Sequence, residues 1–377
     1  MSAGTTTAMR IGVNLMWCVP GDVGGSEQYL VRQLAGALEA RPTLDLTLFA
    51  TGAFAAAHGE RFPGARIVVS PVDGRRRWQR IAAESTWLYR RSGGFHLVQH
   101  GGGTAPRPAR RPYVLTVHDL QYRTFPEYFT PLKRRYLDAM IPGSARRAAL
   151  VTVPSEYVRG SVVRELGVDP ARVMVVPHGY EPELLVERTP ADELRRRLAL
   201  GDGPVLVYPA MTAPHKNHRF LVELLGSVWT DRDLRLVLIG GRGLADADLD
   251  RALADAPAHV RERVVRPGRV SDADKNGLIA MADALVFPSR YEGFGAPLIE
   301  AMALGAPVLC SDATCLPDVA GDAGVVASLS ADAWAAGLQE VRRRRAELID
   351  AGHRRVESFT SRRSGEALLA AYEAVAA

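Results

Sequence analysis

Short apolar runs rich in β-branched residues punctuate this chain, and stretches of helical character separate most of them. A first series holds MRIGVNLMW, LDLTLFAT, ARIVVSP, FHLVQHGG, RPYVLTVHDL, ALVTVPS and VMVVPHGY. A second holds GPVLVYPAMT, LRLVLIGG, RVVRPGRV, DALVFPSR, APVLCSD and AGVVAS. Strands joined through helices run parallel, and strands covered on both faces read as continuous apolar runs. Two such series predict two doubly wound, Rossmann-like α/β domains. The length, 377 residues, also exceeds what one ordinary core accommodates. A polar, proline-bearing stretch, EPELLVERTPADELRRRLALGDGP at about 181–203, marks the expected boundary. The domains are therefore expected at 1–180 and 181–357, with one further helix, FTSRRSGEALLAAYEAVAA, closing the chain in 358–377.

Composition narrows the class. Hydrophobic content of 47% and charged content of 24% fit a soluble globular protein. Residues 1–8 show neither a basic segment nor an apolar run, so no signal peptide is expected, and no run of about 18 apolar residues predicts a membrane span. Cys18, Cys310 and Cys315 lack metal-ligand spacing and suit a reducing, cytoplasmic setting as small buried residues. Residues 1–180 carry 23 basic and 13 acidic side chains, the remainder 24 and 29. Only Lys133, Lys216 and Lys275 are lysines; the other 44 cations are arginines, a bias that suggests a GC-rich genome and singles out each lysine.

In doubly wound sheets ligands bind beyond the carboxyl ends of the strands. Four unusual loops fall at such ends: PGDVGGSEQ, HDLQYRTFPEYF, AMTAPHKNH and SRYEGFGAP. They are expected to line one cleft between facing domains. In the last, GFGAP follows a strand and opens a helix, with Pro297 at its start. The glycines admit close backbone approach, and the positive end of a helix favours phosphate. Glu300 lies one turn inside that helix, where a carboxylate suits a ribose diol better than a phosphate. Glu292 precedes the turn and can face developing positive charge. Two acids so placed suit one nucleoside diphosphate bearing a further group.

The stretch SRYEGFGAPLIEAMALGAPV resembles the nucleotide-sugar signature of the retaining glycosyltransferases of family four, which have the GT-B fold. Glu292 and Glu300 match the Glu-x7-Glu motif, and GGSEQY, VHDL, VPSEYVR, VVPHGY, PHKN and LPDVAGDAG follow the family's order. The resemblance implies two facing domains, the first for the acceptor and the second for the nucleotide sugar, with the last helix crossing back to the first. It implies Glu300 on the ribose, with Ser289 and the backbone of Val270 near ribose and base. Glu292 and His118 would act at the transferred sugar or acceptor. Lys216, Gly24, Gly25, Phe294, Gly295, Ala296 and Pro297 would surround the diphosphate and sugar. The arginine that commonly joins the lysine is missing: Ala210 and Met211 occupy that region, leaving Arg219 or Arg290 as candidate substitutes.

The implied activity is retaining transfer of a sugar from a nucleoside diphosphate sugar to a hydroxyl on a glycan, lipid-linked or natural-product acceptor. A phosphorylase, a sugar-nucleotide epimerase and a non-catalytic binding protein are the competing readings. No cofactor or metal is expected to be required; the Asp-x-Asp triplets at 231–233, 246–248, 248–250 and 272–274 read as solvated surface. CVPGDVGG lacks the dinucleotide-binding glycine spacing. GRRRWQR, RPARRP and LKRRYL make the first half basic, which suits either an ordinary solvated arginine-rich surface or contact with something anionic, a peripheral inner membrane face or an acceptor carrying phosphate or carboxylate, rather than nucleic acid.

Overall fold

The computed structural model describes residues 9–376, so the signal-peptide reading of residues 1–8 lies outside the described residues. The described residues form two compact units, 9–179 together with 360–376, and 180–359. Each is an α/β unit built on one parallel sheet.

The first unit holds seven strands: β1 Arg10–Leu15, β2 Asp45–Ala50, β3 Arg66–Val69, β4 Leu97–His100, β5 Tyr113–Thr116, β6 Leu150–Val153 and β7 Val173–Val175. Their order is β3-β2-β1-β4-β5-β6-β7, and every pairing is parallel. The second holds β8 Val205–Pro209, β9 Arg235–Ile239, β10 Val264–Gly268, β11 Ala284–Phe287, β12 Val308–Ser311 and β13 Gly324–Ala327. Their order is β10-β9-β8-β11-β12-β13, again all parallel. The apolar runs fall on these strands because helices cover both faces: Ile11, Val13 and Leu15 of β1 are fully buried, as are Val205 to Tyr208 of β8. The stretch 181–203 is packed into the second unit through Leu185, Leu194 and Leu200, whose burial outweighs the polar residues around them.

Strand order reverses between β1 and β4, and between β8 and β11. At such a point the loops leaving two neighbouring strands diverge to opposite faces, which opens a crevice at their carboxyl ends. Each unit therefore has one predetermined place for a ligand.

The final helix, Ser361–Ala376, belongs to the first unit. It lies on the helix Gly25–Ala40 by close backbone approach. A Cβ added at Gly36 would meet the Ser361 carbonyl oxygen at 1.8 Å, and one at Gly365 would meet the Ala37 nitrogen at 2.1 Å. Tyr372, fully buried, donates to Gln99 Oε1 at 2.5 Å. Gln99 Nε2 in turn donates to Thr116 Oγ1 at 2.9 Å, which lies 3.0 Å from Thr152 Oγ1. This polar ladder ties the helix to the middle of β4, β5 and β6. Gly365→Ala is expected to destabilise the first unit by about 2–3 kcal/mol or more, since both obstructing groups are backbone. Gly52→Ala, whose added carbon would touch only Val69 at 3.9 Å, should change stability by under about 0.5 kcal/mol. Urea denaturation of the two variants checks the contrast.

Candidate active site

At the β8/β11 reversal the loop after β8 winds into a short 3-10 turn, Pro214–Lys216, and the helix His218–Ser227 follows. Asn217 joins them in the left-handed region, φ 57°. The loop after β11 turns at Gly295, φ 88°, into the helix Ala296–Ala303, with Pro297 in the first turn and no side-chain cap. Pro297 has no N–H and Leu298 N donates to the Gly295 carbonyl at 2.9 Å, so of the first three residues only Ala296 offers an N–H without an intrahelical acceptor.

These loops bring Lys216 and Glu292 together. Lys216 Nζ donates to Glu292 Oε1 at 2.6 Å, with side chains only 18% and 11% exposed. The ammonium also lies 5.4 Å from the Phe287 ring centroid. Glu300, 12% exposed, meets Lys275 of the helix Asp272–Ala280, Nζ to Oε2 at 3.2 Å. Both acids of the Glu-x7-Glu motif thus sit in partly buried ion pairs with two of the chain's three lysines. Removing one member of such a pair leaves the other charge uncompensated, at a cost of several kcal/mol.

Neighbouring groups lock the geometry. Thr314 Oγ1 accepts from Glu292 N at 3.1 Å and donates to Glu292 O at 3.0 Å. Thr314 itself is held at φ 55°, a conformation costly for a β-branched residue. Tyr208 Oη donates to the Lys216 carbonyl at 2.7 Å and lies 3.2 Å from Ser289 Oγ. Arg290 N donates to the His215 carbonyl at 2.7 Å, tying the two loops directly.

Two expectations change. Ser289 is fully buried and spans Tyr208 and β12, where Ser311 Oγ donates to its carbonyl at 2.5 Å. Its hydroxyl lies against Tyr208, which braces the lysine loop. Arg219 lies on the outer side of its helix in ion pairs with Glu223 at 2.8 Å and Asp248 at 3.9 Å, because a residue three on from Lys216 in a new helix points elsewhere. Arg290 is exposed and adjoins the lysine loop through its backbone, so it remains the candidate cation. Val270 follows Gly268 (φ 78°) and packs partly buried on the core of the second unit. Phe294 turns its ring inward, 5.6 Å from that of Phe359. The Asp-x-Asp reading is also corrected in part: Asp246 is buried and accepts from Arg266 at 2.7 Å and Thr212 at 3.1 Å.

In the first unit, Gly24 caps the helix Gly25–Ala40 at φ 61°, and a Cβ at Gly25 would meet nothing within 4 Å. Glu27 folds the preceding loop, accepting from Gly21 N at 2.8 Å and lying 2.7 Å from His58 Nε2. His118 Nε2 donates to the Gly101 carbonyl at 2.7 Å, its ring 5.6 Å from Trp17 and 5.5 Å from Tyr29. Tyr29 stacks on His178 at 4.3 Å. Burial lowers the pKa of both histidines, which favours their neutral imidazole forms.

His215, His218, Lys275 and Thr314 escaped the sequence reading. Lys275 was signalled only by the rarity of lysine; nothing in the sequence pointed to Thr314. Among the described residues no three His, Cys, Asp or Glu groups cluster as metal ligands.

Two family models match this chain: Glycosyltransferase Family 4 over residues 23–184 and Glycosyl transferases group 1 over residues 203–343. The chain is 33% identical to O-antigen chain mannosyltransferase B of Escherichia coli over 197 residues, 51% of each chain. It is 28% identical to 2-deoxystreptamine glucosyltransferase of Streptomyces kanamyceticus over 211 residues, 54% of each. It thus spans about half the length of the curated relatives it matches. Sucrose-phosphate synthase from Thermosynechococcus elongatus superposes with a TM-score of 0.76 at 20% identity, over 97% of this chain and 98% of that one. Anabaena HepE in complex with UDP and glucose does so with a TM-score of 0.74 at 19% identity, over 96% and 98%. The matched stretches and the fold place the chain among the family-four-like glycosyltransferases of the GT-B fold.

Burial, reinforced by the Lys216 charge, pushes His215 down to about 4; burial does the same to His218. The unfolded chain, with histidines near 6.5, binds more protons than the folded one between those values. Stability of the second unit should therefore fall as pH drops from about 6.5 to 4, by up to about 1.4 kcal/mol per pH unit for each histidine. His215→Gln should flatten this slope by one histidine's share, measured by urea denaturation at pH 7, 6 and 5.

Proposed function

We propose that this chain transfers a sugar, with retention of anomeric configuration, from a nucleoside diphosphate sugar to a hydroxyl acceptor. The observation that carries the reading is the pair of lysine-bound glutamates at the mouth of an uncapped helix at the β8/β11 reversal. The second unit is the donor domain and the first the acceptor domain.

Breaking an anomeric C–O bond to diphosphate leaves negative charge on phosphate and positive charge on the sugar. Lys216 and the amide opening the helix at Ala296 are pre-aimed at the first charge. Glu292 accepts from Lys216 at 2.6 Å, which positions the lysine beside the opening of the helix at Ala296, where it serves the diphosphate. Glu292 is then released to face the sugar. Glu300, oriented by Lys275, accepts from the ribose hydroxyls. Arg290 supplies the second cation on the diphosphate. The departing diphosphate takes the proton of the attacking hydroxyl on the same face, which accounts for retention without a protein nucleophile. His118, a donor at Nε2 to Gly101, presents its unprotonated Nδ1 as an acceptor for a sugar or acceptor hydroxyl.

Lys216→Ala should lower kcat/KM by about two orders of magnitude or more, because the charge it neutralises grows in the transition state. Glu300→Ala should instead raise the donor KM far more than it lowers kcat. Steady-state kinetics separates the two. An unchanged KM with a collapsed kcat in Glu300→Ala would mean that the two acids have exchanged roles.

The first unit also suits an anionic membrane face. Arg77 lies 4.9 Å over the Tyr136 ring, which joins the GRRRWQR segment to the helix Pro131–Arg147. Trp78 and Leu132 are 67% and 78% exposed there, among Arg75, Arg76, Lys133 and Arg134. An exposed indole amid cations fits a lipid interface. Among the described residues no helix is long and apolar enough to cross a membrane. Sedimentation with anionic vesicles is expected, weakened by salt and by Arg75/Arg76/Arg77→Ser; indifference to such vesicles at low salt would leave a soluble acceptor as the reading.

A further inference from the structure

A second basic feature of the first unit is not accounted for by sugar transfer or by the Trp78 patch. Arg107, Arg110, Arg111 and Arg147 border an open groove of about 970 Å³, together with Pro108, Pro112 and Tyr113. The segment 107–112 leads into β5, and Arg147 with Ala149 leads into β6. The groove therefore lies at the amino ends of these strands, whereas His118 follows the carboxyl end of β5. Arg147 closes the helix Pro131–Arg147, roughly 22 Å from Leu132 at its start.

No carboxylate lines the groove. Among the described residues none of the four guanidinium groups has an ion pair. Other arginines of this chain commonly do, as the depression bordered by Arg219, Arg251, Glu223 and Asp248 shows. An adjoining depression shares Arg110 and Arg111 and contains Glu84, but that carboxylate accepts from Asn14 at 3.1 Å and lies 3.7 Å from Arg80. The arginines are nonetheless held. Arg110 Nη1 donates to the Arg90 carbonyl at 3.1 Å and Arg111 Nε to that of Gly93 at 3.0 Å. Tyr113, beside Arg147 in the groove, donates its hydroxyl to the Ser144 carbonyl at 2.7 Å.

We propose that this groove is a binding site for a phosphate-type anion, a phosphate monoester or a diphosphate. Four unneutralised cations around one concavity repel one another, and a bound anion removes that repulsion. Guanidinium forks match the oxygens of phosphate two at a time, and a phosphomonoester carries nearly two charges at neutral pH. A single carboxylate would leave most of the positive charge uncompensated. The anion can arrive on a soluble molecule or as a lipid headgroup, and the chemistry of capture is the same.

Isothermal titration of the full chain with inorganic pyrophosphate tests the site. Arg107→Ser/Arg147→Ser is the main variant, because neither side chain is among those that brace the loop backbone at residues 90–93. Lys216→Ala removes the competing diphosphate site of the second unit and serves as the background. In that background the Arg107/Arg147 pair should still bind pyrophosphate, and its replacement by serine should weaken binding at least tenfold with the melting temperature of the free protein unchanged. Replacement by lysine, which keeps charge and loses the fork, should fall between. Arg75/Arg76/Arg77→Ser should have no effect. Vesicles of phosphatidic acid in phosphatidylcholine identify the source: capture that pyrophosphate competes away points to a headgroup, and pyrophosphate binding without capture points to a soluble ligand. Equal pyrophosphate affinity with and without Arg107 and Arg147, or no binding to either probe, overturns the proposal.

Discussion

The ion pair between Lys216 and Glu292 is the constraint around which the second unit is arranged. It joins two loops that leave neighbouring strands of a parallel sheet in opposite directions. Neither side chain is more than one-fifth exposed, so each charge needs a partner and finds it in the other. Their 2.6 Å separation depends on backbone held from elsewhere: Tyr208 on β8 fixes the lysine loop, and Thr314 after β12 fixes Glu292. Three strands thus converge on one charge pair, and the strain at Thr314 is sustained by the two hydrogen bonds it makes.

The same economy appears at Glu300. A carboxylate one turn into a helix that opens toward phosphate would be poorly placed if it were free to swing toward the anion. Lys275, from the neighbouring helix Asp272–Ala280, holds it back at 3.2 Å. Positive and negative groups are thereby separated along one helix: the opening amide and Lys216 at one end, Glu300 behind. Around His118 in the first unit neutral groups gather instead, since burial lowers the pKa of His118 and His178 beside Trp17 and Tyr29.

The thirteen strands were legible because each is an apolar run bounded by glycine, proline or polar residues, and parallel pairing leaves no alternation to misread. The GFGAP turn was legible for a similar reason: Gly295 needs positive φ and Pro297 suits a helix start. What escaped depends on contacts distant in sequence. Ser289 reads as a polar residue at a strand end, but only the fold shows that Tyr208 and β12 enclose it. Asp246 lies in an acidic run typical of a surface, yet Arg266 and Thr212, from two other segments, draw it inside. Arg219 looked available by proximity to Lys216, whereas the turn at Asn217 starts a helix that carries it outward.

The most direct test of the account is the change in melting temperature produced by nucleoside diphosphates, since a ligand of the folded state alone raises it. UDP, GDP, dTDP and ADP are compared with their nucleosides on the wild-type chain and on Lys216→Met. The account predicts that at least one diphosphate raises the melting temperature of the wild type, that its nucleoside does not, and that the variant loses most of the shift. A panel in which no diphosphate stabilises the wild type, or in which the variant responds equally, would contradict it.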